Sequence, residues 1–214
     1  MTEIRNGKKV LITPVTAEDI DALNIGDVFF LDGEMVTGRD SVHGRVVNEG
    51  LEMPIDIRGK AIMHAGPIIR TVESSDNSDS PRYEMVSVGP TTSMRMERFE
   101  YEFIRETGVR IIIGKGGMKE KTAAGCQEFG AIHCILPAGN AVVGAVCVEE
   151  IIGAEWLDLG MPEACWHCRI REFGPLIVTI DSHGRNYYEE KKVEYNKRHE
   201  EQAELIHKQV HFMK

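Results

Sequence analysis

The chain has 214 residues, a formal net charge of −9, 42% hydrophobic and 28% charged residues, a globular mixture long enough to bury a core without disulfide or metal staples. The acidic balance argues against a nucleic-acid face, which needs clustered cations to release phosphate counterions. No apolar run approaches the ~20 residues that span a bilayer, and residues 1–9 are charged and lack a leader-like segment, so the expectation is a cytoplasmic protein with no membrane partner.

The pattern predicts a strand over residues 8–15, closed by Pro14, and a brief helix introduced by the capping signal Thr16-Ala17-Glu18-Asp19. Two apolar runs, 28–31 and 34–37, flank Asp32-Gly33, which reads as a hairpin because Asp-Gly tolerates the positive φ of a type I′ turn. A short helix follows over 39–47, closing near Gly50, and then a strand over 60–64 that leads into Ala65-Gly66-Pro67. Residues 72–81, rich in Ser, Asp and Asn, read as a solvated loop. A strand over 83–88 enters Gly89-Pro90-Thr91-Thr92-Ser93. The next helix carries Met96, Phe99, Phe103 and Ile104 at helical spacing and ends at Gly108. Beyond it come a strand at 109–113, a helix at 120–129, a strand at 131–136, a helix at 140–150, strands near 154–157, 165–171 and 176–180, and a charged helix at 188–209 facing solvent or a partner. A hairpin-rich start followed by alternating β and α predicts an α/β fold with mixed sheet layers, one compact domain over 1–214.

Three segments place polar or cationic residues where a strand gives way to a loop or helix, the usual ligand position in α/β folds. In Thr37-Gly38-Arg39-Asp40-Ser41-Val42-His43, the Asp40 carboxylate lies three residues from His43 and could hold its imidazole, while Arg39 offers a planar fork for a carboxylate. The bland alternative is a surface ion pair beside a solvated histidine. In Gly89-Pro90-Thr91-Thr92-Ser93-Met94-Arg95, the Thr91, Thr92 and Ser93 hydroxyls sit at an expected helix N-terminus with Arg95 on its first turn. This is either an anion site or a simple N-cap. Ile113-Gly114-Lys115-Gly116-Gly117 lacks the Gly-Lys-Ser/Thr order of a nucleotide loop, but its glycines let backbone approach a small anion beside Lys115. Together Arg39, Arg95 and Lys115 form a plausible cradle for a small dicarboxylate, with Thr91 or His43 available for proton transfer.

Five cysteines (Cys126, Cys134, Cys147, Cys165, Cys168), odd in number and mostly in apolar segments, read as reduced and buried. Cys165-Trp166-His167-Cys168 has metal-ligand spacing but no second half, and strand alternation would send its two thiols to opposite faces, so no metal is assigned to this chain. Met94, Met96 and Met161 read as packing, and His183-Gly184 as a turn.

In order along the chain, Thr37-Gly38-Arg39-Asp40 with His43, Gly66-Pro67, Gly89-Pro90-Thr91-Thr92-Ser93-Met94-Arg95-Met96, Ile113-Gly114-Lys115-Gly116 and Leu159-Gly160-Met161-Pro162-Glu163 resemble the C-terminal half of the class I, iron–sulfur fumarases. Residues 137–143 and 173–181 extend the resemblance over almost the whole chain. The departure from a Gly-Gly-Ala-Ala-like run at 137–141 tilts it towards the separate β subunits of the tartrate-acting members. The resemblance implies a swivelling β/β/α domain that closes over a second domain bearing a [4Fe–4S] cluster. That second domain would here be a separate α subunit in an α2β2 assembly, with no cluster bound by this chain alone. It further implies a hydro-lyase acting on tartrate or on fumarate and malate, with Thr91 as base or proton relay. Arg39, Arg95 and Lys115, beside Thr92, would hold the carboxylates, and Asp40 with His43 would be a supporting or catalytic pair. A competing reading is a non-catalytic module that only binds a dicarboxylate or serves assembly.

Overall fold

Runs that are apolar at every position, such as Ile111-Ile112-Ile113, suit parallel strands covered on both faces, and the chain builds its sheet from them. In the computed structural model, which describes residues 1–72, 82–137, 139 and 141–209, the elements run β1 (Thr2–Arg5), β2 (Lys8–Ile12), α1 (Ala17–Asp21), β3 (Val28–Thr37), α2 (Asp40–Val47), β4 (Ala61–Met63), β5 (Ile68–Val72), β6 (Arg82–Ser87), α3 (Glu100–Thr107), β7 (Ile111–Gly114), α4 (Glu120–Phe129), β8 (Ile132–Ile135), α5 (Ala141–Val146), β9 (Val148–Glu155), β10 (Cys165–Ile180) and α6 (Tyr187–Gln209). All but the β5–β6 hairpin join one eight-stranded sheet in the order β1-β2-β3-β4-β7-β8-β10-β9. The expected loop at 72–81 lies, beyond Val72, outside the described residues.

Strands β2, β3, β4, β7 and β8 are parallel neighbours. β10 then pairs antiparallel with β8, β9 and also β3, which closes β3, β4, β7, β8 and β10 into a ring. Alternation along each strand divides the apolar side chains in two. Ala61, Met63, Ile111, Ile113, Phe29, Leu31, Phe173 and Val178 share one core. Ile62 and Ile112 face the other way, against Val42 and Val46 of α2, Phe103 and Ile104 of α3 and Cys126 of α4. The domain is thus mixed α/β, with α2, α3 and α4 layered on one side of a closed sheet and Ile20 of α1 and Ala145 of α5 packed into the other core.

The Asp32-Gly33 hairpin does not form: β3 runs unbroken through it. Gly33 does take φ +100°, but for a close approach, since a Cβ there would lie 2.5 Å from Thr13 Oγ1. Asp32 turns its carboxylate to Arg5 and to the Glu172 amide. The tight hairpin lies earlier, at Asn6-Gly7, both at positive φ, between β1 and β2. The helix expected over 140–150 stops at Val146, because Val148 onwards pairs with β10. The two strands expected at 165–171 and 176–180 are one, with register shifts on either side of Phe173. The helix after Ser93 opens as a 3-10 turn and becomes α-helical only at Glu100. Met96 is buried as expected, whereas Met94 and Met161 are exposed.

Candidate functional site

The register Thr37↔Met63↔Ile113 brings the carboxyl ends of β3, β4 and β7 level, so Arg39, His64 and Lys115 leave the sheet side by side. The segment after β6 is strapped across these ends. Thr91 donates its amide to the His64 carbonyl (2.6 Å), Thr92 bridges to Lys115, and Ser93 donates to the Lys115 carbonyl (3.1 Å). The three segments singled out in the sequence therefore meet at one edge, with Arg39, Asp40, Thr91, Thr92, Arg95 and Lys115 on it. Thr92, Arg95 and Lys115 are exposed and Thr91 is half-buried.

Each arginine is already oriented by a carboxylate. Arg39 Nε lies 2.5 Å from Glu163 Oε1, and Glu163 also accepts from the Ser41 amide (3.1 Å). The guanidinium lies against Gly66, where a Cβ would come within 2.9 Å of Arg39 Nη1. Arg95 donates to Asp40 twice, Nε to Oδ1 at 3.3 Å and Nη2 to Oδ2 at 2.6 Å. Burial would lift the Asp40 carboxyl, but the Arg95 guanidinium outweighs it, leaving the group below the usual carboxylate range. Lys115 has no ion pair among the described residues. Asp40 and His43 do not pair. Although one turn apart on α2, Asp40 is taken by Arg95, while His43 points inward with its Nδ1 2.9 Å from the Arg39 carbonyl. Nor is there a capped helix N-terminus at Thr91 to Ser93. The 3-10 turn there has three residues and no side-chain cap, and Ser93 is wholly buried.

Beneath this edge lies a buried polar cluster in which His43 and Ser93 are singled out by the sequence and His64, His133 and Glu100 are not. His43, His64, His133, Ser93 and Glu100 are all 0% exposed. His64 Nδ1 is 3.0 Å and His133 Nε2 3.2 Å from Ser93 Oγ, which also accepts the Lys115 amide at 3.2 Å. Glu100 Oε2 stands 3.4 Å from His64 Nε2 and 3.6 Å from His43 Nε2. Burial favours the uncharged imidazoles of His64 and of His133, whose pKa falls to about 3. Burial alone would raise the Glu100 carboxyl, yet the neighbouring His64 and His43 hold it below its ordinary value. One signal was present in the sequence: Glu100 falls on the stripe of Met96, Phe103 and Ile104, an acid on an apolar face.

Among the described residues, His43, His64 and Glu100 are the one grouping of three potential metal donors, their atoms within 4.8 Å of one another. The thiols make no comparable set. Cys126 and Cys165 belong to the helix-side core and Cys134 and Cys168 to the other. Burial pushes the Cys165 and Cys168 thiols up to about 12, far from the thiolate a metal or cluster needs. A [4Fe–4S] cluster therefore does not fit the cysteines of this chain. No helix among the described residues is long and apolar enough to cross a membrane.

Comparison with known proteins finds relatives over nearly the whole chain. The family model described as fumarase C-terminus matches residues 2–191. The L(+)-tartrate dehydratase subunit beta of Escherichia coli K12 is 52% identical over 207 residues, covering 97% of this chain and 100% of that protein. A Methanocaldococcus jannaschii protein provisionally named as an L(+)-tartrate dehydratase subunit beta is 40% identical over 82% of this chain and 89% of its own length. A Geobacillus stearothermophilus protein provisionally named as a class I fumarate hydratase is 36% identical over 84% of this chain, which spans 33% of that longer relative.

Proposed function

Because the chain belongs to the fumarase C-terminus family, we propose that it is the β subunit of an iron–sulfur-dependent hydro-lyase that dehydrates L(+)-tartrate to oxaloacetate. In this reading it works in the cytoplasm with an α subunit, as α2β2, and swivels to close over that partner. The cluster is assigned to the α subunit, since the thiols here do not suit it, and no step is routed through it.

The observation that carries the reading is the convergence of Arg39, Arg95 and Lys115 around Thr91 at the ends of three parallel strands. A proton α to a carboxylate is weakly acidic, and its removal builds negative charge on that carboxylate. Fixed cations in a closed, water-poor site stabilise this charge as it develops. Arg95 engages Asp40 through Nε and Nη2, which leaves the Nη1 edge of its five-donor fork for a substrate carboxylate. Arg39, braced by Glu163, offers its Nη groups in the same way, and Lys115 adds a mobile point charge. Thr91, with its amide fixed on His64, is the base or proton relay: its hydroxyl oxygen accepts the proton from one carbon while its own hydroxyl proton passes to a neighbouring acceptor, as hydroxide leaves the other carbon. The enol so formed tautomerises to the keto acid. His43 is a poorer base because it is buried and turned to Glu100. Thr92 lies alongside as a carboxylate-binding hydroxyl.

Anaerobic co-expression with an α subunit tests this proposal, assaying L-tartrate, L-malate and fumarate. Turnover of tartrate is expected. Turnover of malate and fumarate alone would make the chain a fumarase subunit, a reading the Geobacillus relative favours. Dicarboxylate binding without turnover would make it a binding module. The purified chain by itself should carry no stoichiometric iron or sulfide and show no dehydratase activity.

A further inference from the structure

The donors and acceptors of the buried cluster can be counted link by link. The Thr179 hydroxyl donates to the His133 carbonyl at 3.1 Å, so its oxygen accepts from His133 Nδ1 at 2.6 Å. With its hydrogen on Nδ1, the neutral His133 ring turns a lone pair at Nε2 to Ser93 Oγ, 3.2 Å away, and the Ser93 hydroxyl donates to it. Ser93 Oγ already accepts the Lys115 amide, so its remaining lone pair takes the hydrogen of His64 Nδ1 at 3.0 Å. His64 Nε2 is left bare. His43 is held in the same way, since its Nδ1 lies 2.9 Å from the Arg39 carbonyl, which only accepts. That leaves Nε2 as the coordinating atom of the ring. Both Nε2 atoms face Glu100 Oε2, at 3.4 Å from His64 and 3.6 Å from His43. Neither contact is a hydrogen bond. His43 Nε2, His64 Nε2 and both Glu100 oxygens are buried without a partner among the described residues, where buried polar atoms are ordinarily paired.

We propose that His43 Nε2, His64 Nε2 and the Glu100 carboxylate bind a structural zinc ion beneath the candidate site. The spacing supports this. Charge-assisted N–H···O bonds close to about 2.7–2.9 Å, whereas two ligands on one tetrahedral zinc, with bonds of about 2.0–2.2 Å, stand about 3.3–3.6 Å apart. Two imidazoles with one carboxylate suit zinc better than magnesium or calcium, which take oxygen donors. Because both Glu100 oxygens are unpaired, the carboxylate can supply two donors and complete the four of a closed structural site. The Arg39 carbonyl and the Ser93 hydroxyl fix the other nitrogen of each ring, as partners of metal-ligating histidines do. His43 also lies flat on Phe103, with centroids 4.0 Å apart, an apolar wall beside the ion. The zinc pins α2, α3 and the residue after β4 at one point, and the loops above hang from it. Arg39 is tied through its carbonyl to His43, and Thr91 through its amide to the His64 carbonyl. All three ligands are 0% exposed, so the ion meets no substrate.

Metal content tests this without any appeal to the hydro-lyase reading. The full chain, expressed without a histidine tag in zinc-supplemented medium, should hold stoichiometric zinc by elemental analysis. Being enclosed, the ion should survive brief EDTA treatment and leave when urea unfolds the protein, because metal binding and folding are coupled. Zinc-edge X-ray absorption should show imidazole nitrogen and carboxylate oxygen at about 2.0–2.2 Å and no sulfur. Glu100→Gln and His64→Gln should each lose the metal, whereas Cys165→Ser combined with Cys168→Ser should keep it. Should the ligand variants fail to fold, Ser93→Ala removes only the hydroxyl that orients His64. It should weaken zinc binding about tenfold to a hundredfold, read by competition with a chelator during refolding. A folded wild-type chain without zinc, or with iron in its place, overturns the proposal. So does zinc that EDTA strips from the folded chain, sulfur in the absorption spectrum, full zinc in Glu100→Gln, or an unchanged zinc affinity in Ser93→Ala.

Discussion

A lysine at position 95 keeps the positive charge but loses the planar fork that the two bonds to Asp40 hold in place. A charge-assisted hydrogen bond in a closed site is worth about 1.5–3 kcal/mol, so Arg95→Lys should weaken substrate binding about tenfold to a hundredfold, read as KM. Thr91→Val keeps the shape and removes only the hydroxyl. If that hydroxyl moves the proton, kcat falls by roughly 10²–10⁴ with KM little changed, whereas wild-type turnover in this variant removes Thr91 from the mechanism. The Asp40–Arg95 pair also carries a pH signature. Because Arg95 outweighs burial and depresses the Asp40 carboxyl, the pair stabilises the fold above the unfolded-state value of about 3.9. That contribution is lost as pH falls through the lower folded-state value. With the two side chains 44% and 32% exposed, Asp40→Asn should cost under about 1 kcal/mol at neutral pH. Thermal melts of the two proteins should converge in acid, and a gap persisting there would mean that some other contact of Asp40 was lost.

Two glycines near neighbouring strand ends should fail in different ways when given a methyl group. At Gly66 the new Cβ meets the far end of the Arg39 side chain at 2.9 Å, which can swing aside, and the Pro162 carbonyl oxygen at 3.0 Å, which has to give by a few tenths of an ångström, so Gly66→Ala should raise KM at a smaller cost in stability than the next substitution. At Gly114, the last residue of β7, it would lie 1.7 Å from Ser93 Oγ. Gly114→Ala should therefore destabilise the fold by about 1–3 kcal/mol, through overpacking, in urea unfolding. This difference marks what the sequence could convey. The order of strands and helices was legible from β6 to β8 because the apolar runs and glycine stops are local signals, and α4 begins at Glu120 and ends at Phe129 as its pattern implies, whereas β3 read as two strands and β5 was missed. The loops bearing Arg39, Thr91, Arg95 and Lys115 were legible because strand ends are where such groups gather. Partners were not. Asp40 had His43 one turn away and chose Arg95, which is distant in sequence, and Arg39 chose Glu163. The Asp32-Gly33 turn signal was likewise overridden by pairing of β3 with β2 on one side and β10 on the other. Contacts made by distant segments decided these points, and no short window contains them.

The acidic chain, with a net charge of −9, brings Arg39, Arg95 and Lys115 to one edge, and near that edge Val142, Val143 and Val146 of α5 stand exposed. Gly89, two residues before Thr91, lies against Ala141 at the start of the same helix. The ring of strands has a consequence for how the protein comes into being. Its closing strand, β10, is the last strand among the described residues, and it must find β3, which was made near the beginning. Until residues 165–180 leave the ribosome, β3 and β8 each present a row of unpaired amides and carbonyls to solvent, and the inner core has no lid. Closure over so long a loop is slow by topology, in the range of milliseconds to seconds. Nascent chains halted before Cys165 should therefore stay open-edged and aggregate or recruit chaperones, while chains released beyond Ile180 become protease-resistant in a single step. Stepwise acquisition of resistance as each strand emerges would mean that the sheet is stable before it is closed.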